Sequence, residues 1–248
     1  MLSQTIVKYI QRLAHKKFRD EEGVFIAEGP KVVDELLHSD IKCKSVYATE
    51  QWFQENRDWL KRIPAETVGI SDIELEKISQ LQTPNNVLAV FYKKEEEPIN
   101  LQNNISVMLD DIQDPGNLGT IIRTADWFGA ANIICSKECV DCYNSKVVQA
   151  TMGSLARINI IYTTLEEFLK NAAVPVFAAT LAGENIFEFE KKSEGIILIG
   201  NESKGIRKEL IDLAYKQITI PKMGNAESLN AAVACGIVLS RFVYGNTL

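Results

Sequence analysis

The chain is 248 residues long and 46% hydrophobic, enough for one large domain or two modest ones with real cores. Its net charge of −6 excludes a protein coated in basic surface, and no apolar run approaches the ~20 residues that a membrane span needs. The opening Met1-Leu2-Ser3-Gln4 lacks the charged and then apolar stretch of a signal peptide, and five irregularly spaced cysteines argue against a disulfide framework, so a cytoplasmic protein is expected.

In chain order, the spacing predicts a helix over 3–13, a strand over 24–27 and a helix from Pro30, where the missing N–H has no partner to lose. A strand at 45–48, a helix over 50–60, a helix opened by Ser71 with Glu74 in a capping-box pattern, and a strand at 87–92 follow. Trp52 and Trp59, at i and i+7, read as a core face rather than a base-stacking platform. Residues 1–93 are thus expected to form a small α/β domain, and the charged, then Pro- and Asn-rich stretch 94–104 a linker.

Residues 105–248 alternate more strongly. Strands are predicted at 105–110, 132–135, 158–162, 175–180, 195–200 and 217–220. Helices are predicted at 118–129, 144–152, 164–172, 206–214 and 228–243, with Thr163 and Glu166 as a further capping pair. Short apolar runs alternating with amphipathic helices indicate an α/β fold whose mainly parallel sheet is covered on both faces.

A local basic patch stands out against the acidic whole. Lys8, Arg12 and Lys16, at i, i+4 and i+8, would form one cationic stripe on a helix, with Lys17 and Arg19 just beyond. On charge alone the stripe reads as a solvated face; the alternative is a phosphate-contacting edge.

Three polar loops in the second half carry the chemistry. In the first, a strand ends in Asp110-Asp111, Pro115-Gly116 force a turn, and a helix opens near Asn117, a candidate N-cap. Arg123 falls among Leu118, Ile121, Ile122 and Ala125, and burying it there would require an anionic partner. The two acids could be paired for acid–base work, although a solvated strand end is the simpler reading. In the second loop, Gly200-Asn201-Glu202-Ser203-Lys204-Gly205 follows a buried apolar strand. It lacks the Gly-Lys-Ser/Thr ending of a phosphate loop, and Glu202 would repel a phosphate. The third runs from Ile220-Pro221 through Gly224 to Ser228-Leu229-Asn230, at the mouth of a helix rich in small residues, with Ser228 as a candidate cap.

Cys135, Cys139 and Cys142 lack the paired spacing and fourth ligand of a zinc site and read as buried small hydrophobes, so no metal is expected. No G-x-G-x-x-G follows an early strand with an acid downstream, which disfavours a dinucleotide oxidoreductase.

The three loops resemble, in order and spacing, the signature motifs of the SpoU/TrmH-type RNA ribose 2′-O-methyltransferases of the SPOUT class. Asp114-Pro115-Gly116-Asn117-Leu118-Gly119-Thr120 with Arg123-Thr124-Ala125 is similar to the first motif, Ile199-Gly200-Asn201-Glu202 with Gly205-Ile206 to the second, and Ile220-Pro221 with Gly224 and Ser228-Leu229-Asn230 to the third. Lys16-Lys17-Phe18-Arg19 and Gly23 to Gly29 resemble that family's ribosomal-protein-like substrate-binding domain.

The resemblance implies a trefoil-knotted methyltransferase domain over 105–248, acting as a homodimer with S-adenosylmethionine on RNA, ribosomal RNA before transfer RNA. A non-catalytic RNA-binding member of the same fold is the rival. Carried over, Gly200, Ile220 and Leu229, with Thr180, Leu181, Asn201 and Met223 nearby, would line the donor pocket. Asn117, Arg123, Glu202, Ser228 and Asn230 would be the catalytic or substrate-positioning set, and Lys8, Arg12, Lys16, Lys17 and Arg19 the RNA contacts. Lys222 replaces a common Met, and Gln149 a common Arg. Both histidines, His15 and His38, lie in the N-terminal half, so Arg123, Glu202 and an assisting RNA phosphate remain as candidates for proton removal, and the resemblance implies that Arg123, bound to a target phosphate, mediates it.

Overall fold

The computed structural model describes residues 2–245. In chain order the first elements are α1 (Gln4–Arg12), α2 (Lys16–Glu22), β1 (Val24–Glu28), α3 (Pro30–Leu37) and β2 (Cys43–Thr49). They continue as α4 (Glu50–Glu55), α5 (Arg57–Leu60), β3 (Glu66–Ile70), α6 (Asp72–Ile78) and β4 (Val87–Tyr92). Next come β5 (Ile105–Asp110), α7 (Pro115–Trp127), β6 (Asn132–Ser136), α8 (Ser145–Thr151), β7 (Asn159–Thr163) and α9 (Leu165–Lys170). The last are β8 (Val176–Asn185), β9 (Gly195–Gly200), α10 (Lys208–Ile211), β10 (Lys216–Thr219) and α11 (Ala231–Tyr244).

Two compact units result, one running to Glu95 and completed by Asp141–Ala156, the other comprising Glu96–Val140 and the chain from Arg157 onward. The smaller unit carries a mixed four-stranded sheet in the order β1-β4-β2-β3. Its core gathers Ile10, Leu13, Ile26, Tyr47, Leu75 and Leu88. Ser71 and Glu74 exchange both capping-box hydrogen bonds at α6.

The segment 141–156, expected with the C-terminal half, packs within the smaller unit. The Tyr143 ring packs tilted against the Phe25 ring at 4.8 Å, and Gln149 donates to the Glu28 carbonyl at 2.6 Å. Arg19 is buried there, its guanidinium donating to the carbonyls of Leu13 and Ala14 and pairing with Asp141 at 2.6 Å.

The larger unit is built on a six-stranded sheet, β10-β8-β9-β5-β6-β7, with every pairing parallel. Strands β5 and β9 are buried along nearly their whole length, which is why they read as mostly apolar runs. Met108, Ile134, Ala178 and Leu198 meet Leu165 and Leu210 of the covering helices in one core. After β5 the chain continues to β6 on one side, and after β9 to β10 on the other. The β5/β9 pair is therefore a topological switch point, and a crevice opens outside its carboxyl ends.

Several expected elements differ for local reasons. The stripe Lys8–Arg12–Lys16 is not continuous, because α1 ends at Arg12 and α2 restarts at Lys16. The predicted helix over 50–60 breaks at Asn56, whose side chain caps back onto the Trp52 carbonyl at 2.8 Å. Trp52 is buried, whereas Trp59 stacks on His38 at 4.6 Å. The helix expected over 206–214 holds only across Lys208–Ile211, and the residue ahead of α9 is Thr164 rather than Thr163, with no side-chain capping hydrogen bond.

Candidate functional site

The first loop starts where β5 stops. Asp114, not Asn117, is the N-cap of α7: its carboxylate accepts the Asn117 N–H at 2.8 Å, and Pro115 takes the first helical position. Asn117 is thereby relieved of capping, and its side chain is turned to other partners. Arg123 is exposed on α7, whose buried face consists of Leu118, Gly119, Ile121, Ile122 and Ala125. The cost that burying Arg123 among those apolar residues would carry is thus avoided.

The second loop is a tight turn closed by the Asn201–Gly205 bridge. Gly205 has φ +71°, a left-handed conformation that suits glycine, and a Cβ on Gly200 would run into the Gly205 backbone. The Asn201 side chain accepts the N–H groups of Ser203 and Lys204 at 2.9 and 3.1 Å, and its amide donates to the Asp111 carbonyl at 2.8 Å. The third loop, residues 221–230, is exposed throughout and ends at Asn230, which caps α11 by accepting the N–H groups of Ala232 and Val233. Ser228 is exposed and lies ahead of that cap, because α11 starts two residues later than the capping reading assumed.

These loops meet through side chains. Asn230 donates to the Asn117 carbonyl oxygen at 2.8 Å, and Asn117 donates in turn to a Glu202 carboxylate oxygen through a short hydrogen bond. One residue from each loop therefore joins a single polar line outside β5 and β9, which also fixes the orientation of the Asn117 amide. Sequence spacing gave the residues but could not give this pairing.

What the sequence reading missed lies underneath. Asp110 is not a solvated strand end; it is 1% exposed. Its carboxylate accepts the Arg207 backbone N–H at 2.9 Å and side-chain Nε at 2.8 Å, and Arg207 also pairs with Glu166 at 2.8 Å. An acid closing a strand buried on both faces requires such a cation, which was the available signal. Asp111 adopts φ +58°, and Lys204 pairs with its carboxylate at 2.7 Å, holding that carboxyl below the usual carboxylate range. Cys139 ties the same strand end down by donating to the Leu109 carbonyl at 3.3 Å, and its hydrogen bond with Cys135 lowers the thiol's pKa. Among the described residues, no group of three or more His, Cys, Asp or Glu is placed to hold a metal ion.

Of the residues expected to line a donor pocket, Gly200 ends β9, Asn201 follows it, Ile220 follows β10, and Thr180 and Leu181 lie within β8. Thr180 and Leu181 lie where β8 departs from its register with β10 between Ala178 and Glu184, and Thr180 donates to the Ala182 carbonyl at 2.7 Å. Leu181 and Met223 are 78% and 98% exposed, and Leu229 45%. Exposed apolar side chains at these positions, together with the polar turn after Gly200, suit a ligand with an apolar ring and a charged end. Of the basic residues, Lys8, Arg12, Lys16 and Lys17 are exposed. Lys16 pairs with Asp20, and Arg12 lies over the Phe18 ring. Arg19, buried against Asp141, does not belong to a surface patch.

Comparison with known proteins accords with this geometry. The profile of the SpoU rRNA Methylase family matches residues 104–240, and that of the MRM3-like substrate binding domain matches residues 4–89. The 23S rRNA (guanosine(2553)-2'-O)-methyltransferase RlmP of Bacillus subtilis (strain 168) is 30% identical over 243 residues, 94% of each chain. The human mitochondrial rRNA methyltransferase 3 is 25% identical, over 90% of this chain and 68% of that one. The crystal structure of an AdoMet-bound rRNA methyltransferase from Sinorhizobium meliloti superposes with a TM-score of 0.85 at 36% identity, covering 96% of this chain and 95% of that one. With its family profile spanning more than half of the residues and full-length likeness in sequence and fold, the chain belongs to the SpoU rRNA Methylase family.

Proposed function

We propose that this protein transfers a methyl group from S-adenosylmethionine to a ribose 2′-hydroxyl in structured RNA, ribosomal RNA in the first place. The observation that carries this reading is the Asn230–Asn117–Glu202 line, which joins three loops at the switch point of a parallel sheet. The methyl donors and RNAs named for the similar proteins support it.

The residues at the strand ends fit the donor. Gly200, Asn201 and Ile220 would hold its polar end, with Thr180, Leu181, Met223 and Leu229 against its apolar part. Bound there, S-adenosylmethionine supplies a methyl group already activated on a sulfonium. The chain's own task is alignment and deprotonation. Arg123 holds the target phosphate and mediates removal of the hydroxyl proton; the guanidinium keeps its own protons and is not itself the base. Asn117, Ser228 and Asn230 fix the hydroxyl, and Glu202 fixes Asn117.

The same reading gives residues 1–93 the role of RNA substrate domain, with Lys8, Arg12, Lys16 and Lys17 on the phosphates, 94–104 that of linker, and 105–248 that of a trefoil-knotted methyltransferase domain. It also includes a homodimer in a reducing cytoplasm. Support for the dimer comes from an apolar groove of about 610 Å³ along α11, lined by Phe128, Phe187, Val233, Ile237 and Tyr244. Support for the setting comes from five cysteines whose irregular spacing does not suit a disulfide framework. Among the described residues, no helix is long and apolar enough to cross a membrane.

The test pairs labelled S-adenosylmethionine with RNA from cells lacking the protein, followed by mapping of the 2′-O-methyl sites. Arg123→Ala is expected to abolish turnover and to leave donor binding, by calorimetry, within a few-fold. An equal loss of donor binding removes Arg123 from the proposed role. RNA binding without any methyl incorporation by the wild type favours the non-catalytic reading, and incorporation into transfer RNA alone favours the transfer-RNA reading.

A further inference from the structure

The turn that carries Glu202 is held by two consecutive acids from a different strand. At its rear, Arg207 binds the buried Asp110 through both backbone and side chain. At its front, the Asn201 amide donates to the Asp111 carbonyl, and at its tip Lys204 pairs with the Asp111 carboxylate. The other Asp111 carboxylate oxygen accepts from Gln113 at 2.8 Å, and the Asp111 N–H donates to Ser136 Oγ at 3.1 Å. Asp111 thus links the first loop to the second through its backbone and its side chain, in a left-handed conformation that is costly for a non-glycine residue. Glu202, one residue past Asn201, meets Asn117 only if this turn is held in place.

We infer that Asp111 is a positioning residue for the methyl-transfer site, acting through Lys204 and the Asn201 turn to place Glu202 against Asn117. This rests on the proposed function. The Lys204–Asp111 pair contributes little to stability, because the Lys204 side chain is 72% exposed. Its effect is on geometry, and small misplacements at a reacting centre slow turnover severely.

Asp111→Gly separates the two effects. Glycine relieves the strained φ, so the fold is not weakened, while the carboxylate tether is lost. The expected result is a fall in kcat of about ten- to a hundredfold, with unchanged KM for RNA and a donor Kd within a few-fold, because Asn201 keeps its hydrogen bond to the backbone carbonyl of residue 111. Asp111→Asn, which tolerates the same backbone and keeps an acceptor for Lys204, should recover most of the rate. In a double-mutant cycle, Asp111→Gly on top of Glu202→Gln should cost nothing more. Without RNA, the side-chain amide resonances of Asn117 should move in Asp111→Gly in the direction they move in Glu202→Gln.

Multiplying losses in the cycle, or Asn117 resonances at their wild-type positions, overturn the inference. If Glu202→Gln is slow while Asp111→Gly turns over normally, the inference alone falls. If Glu202→Gln itself turns over normally, the proposed site falls and takes the inference with it.

Discussion

Glu28 closes β1 with its carboxylate inside the smaller unit, where Ser79 Oγ and the Gln80 N–H donate to it. Burial pushes its pKa above the ordinary carboxylate value, outweighing those two hydrogen bonds. A carboxyl whose folded pKa is raised binds its proton more tightly in the folded state. Its contribution is fully present below the unfolded pKa and is lost as pH rises through the folded one. Glu28→Gln mimics the protonated form, and its amide can donate to Ser79 while its carbonyl accepts from Gln80. At neutral pH the variant should therefore melt higher than the wild type, by the few degrees that about 1 kcal/mol gives a chain of this size. Other carboxyls, Asp20 and Asp111 among them, are held low by lysines and pull stability the other way in acid. The informative quantity is consequently the difference between the two melting curves at each pH. That difference should shrink toward zero as pH falls below the ordinary glutamate value, and a difference that is flat with pH would show that burial does not govern this carboxyl.

At the scale of elements, the glycines of the second and third loops behave oppositely although both belong to signature motifs. A Cβ on Gly200 meets only backbone atoms of Gly205 and Ile206, so the turn itself must move, whereas Gly224 has open space around it. Gly200→Ala should cost about 1–3 kcal/mol by overpacking and weaken donor binding with it; Gly224→Ala should lie within about ±0.5 kcal/mol. Urea melts and calorimetry on both variants check this, and equal tolerance at the two positions would contradict the packing around Gly200. The same contrast explains what could be read in advance. β5 and β9 were legible because burial on both faces makes most of their residues apolar, with Ser106 and Asp110 of β5 the exceptions. α2 was not, because Lys-Lys-Phe-Arg-Asp-Glu-Glu has no apolar period to reveal it, and β3 was not, because only Ile70 of its five residues is buried. Asn117, Glu202 and Asn230 stood out as polar residues at strand–helix junctions. Their hydrogen-bonded line did not, nor did the Asp110–Arg207 lock, whose partners are 97 residues apart. Spacing along a chain encodes helical and strand faces; it does not encode which loops meet.

At the scale of the molecule, the division into units is not a single cut. Asp141–Ala156 lies between β6 and β7 in sequence, both strands of the larger unit, yet it completes the smaller one. Its firmest tie there is Arg19–Asp141, a pair with side chains 4% and 11% exposed and 122 residues apart in sequence. Removing one member of a buried pair leaves a charge without its counterion, at a cost of about 3–5 kcal/mol, while replacing both with apolar residues of similar volume is often close to neutral. Asp141→Ala in the intact chain should therefore destabilise the smaller unit by that amount, and Arg19→Met with Asp141→Leu should recover much of it. Hydrogen exchange locates the effect: amides of β1 and β4 should lose protection in Asp141→Ala, while those of β5 and β9, in the other unit, keep theirs. Loss of protection spread evenly over both sheets would instead mean that the two units unfold as one cooperative body. Unchanged protection everywhere would mean that Arg19 finds solvent or another anion once Asp141 is gone.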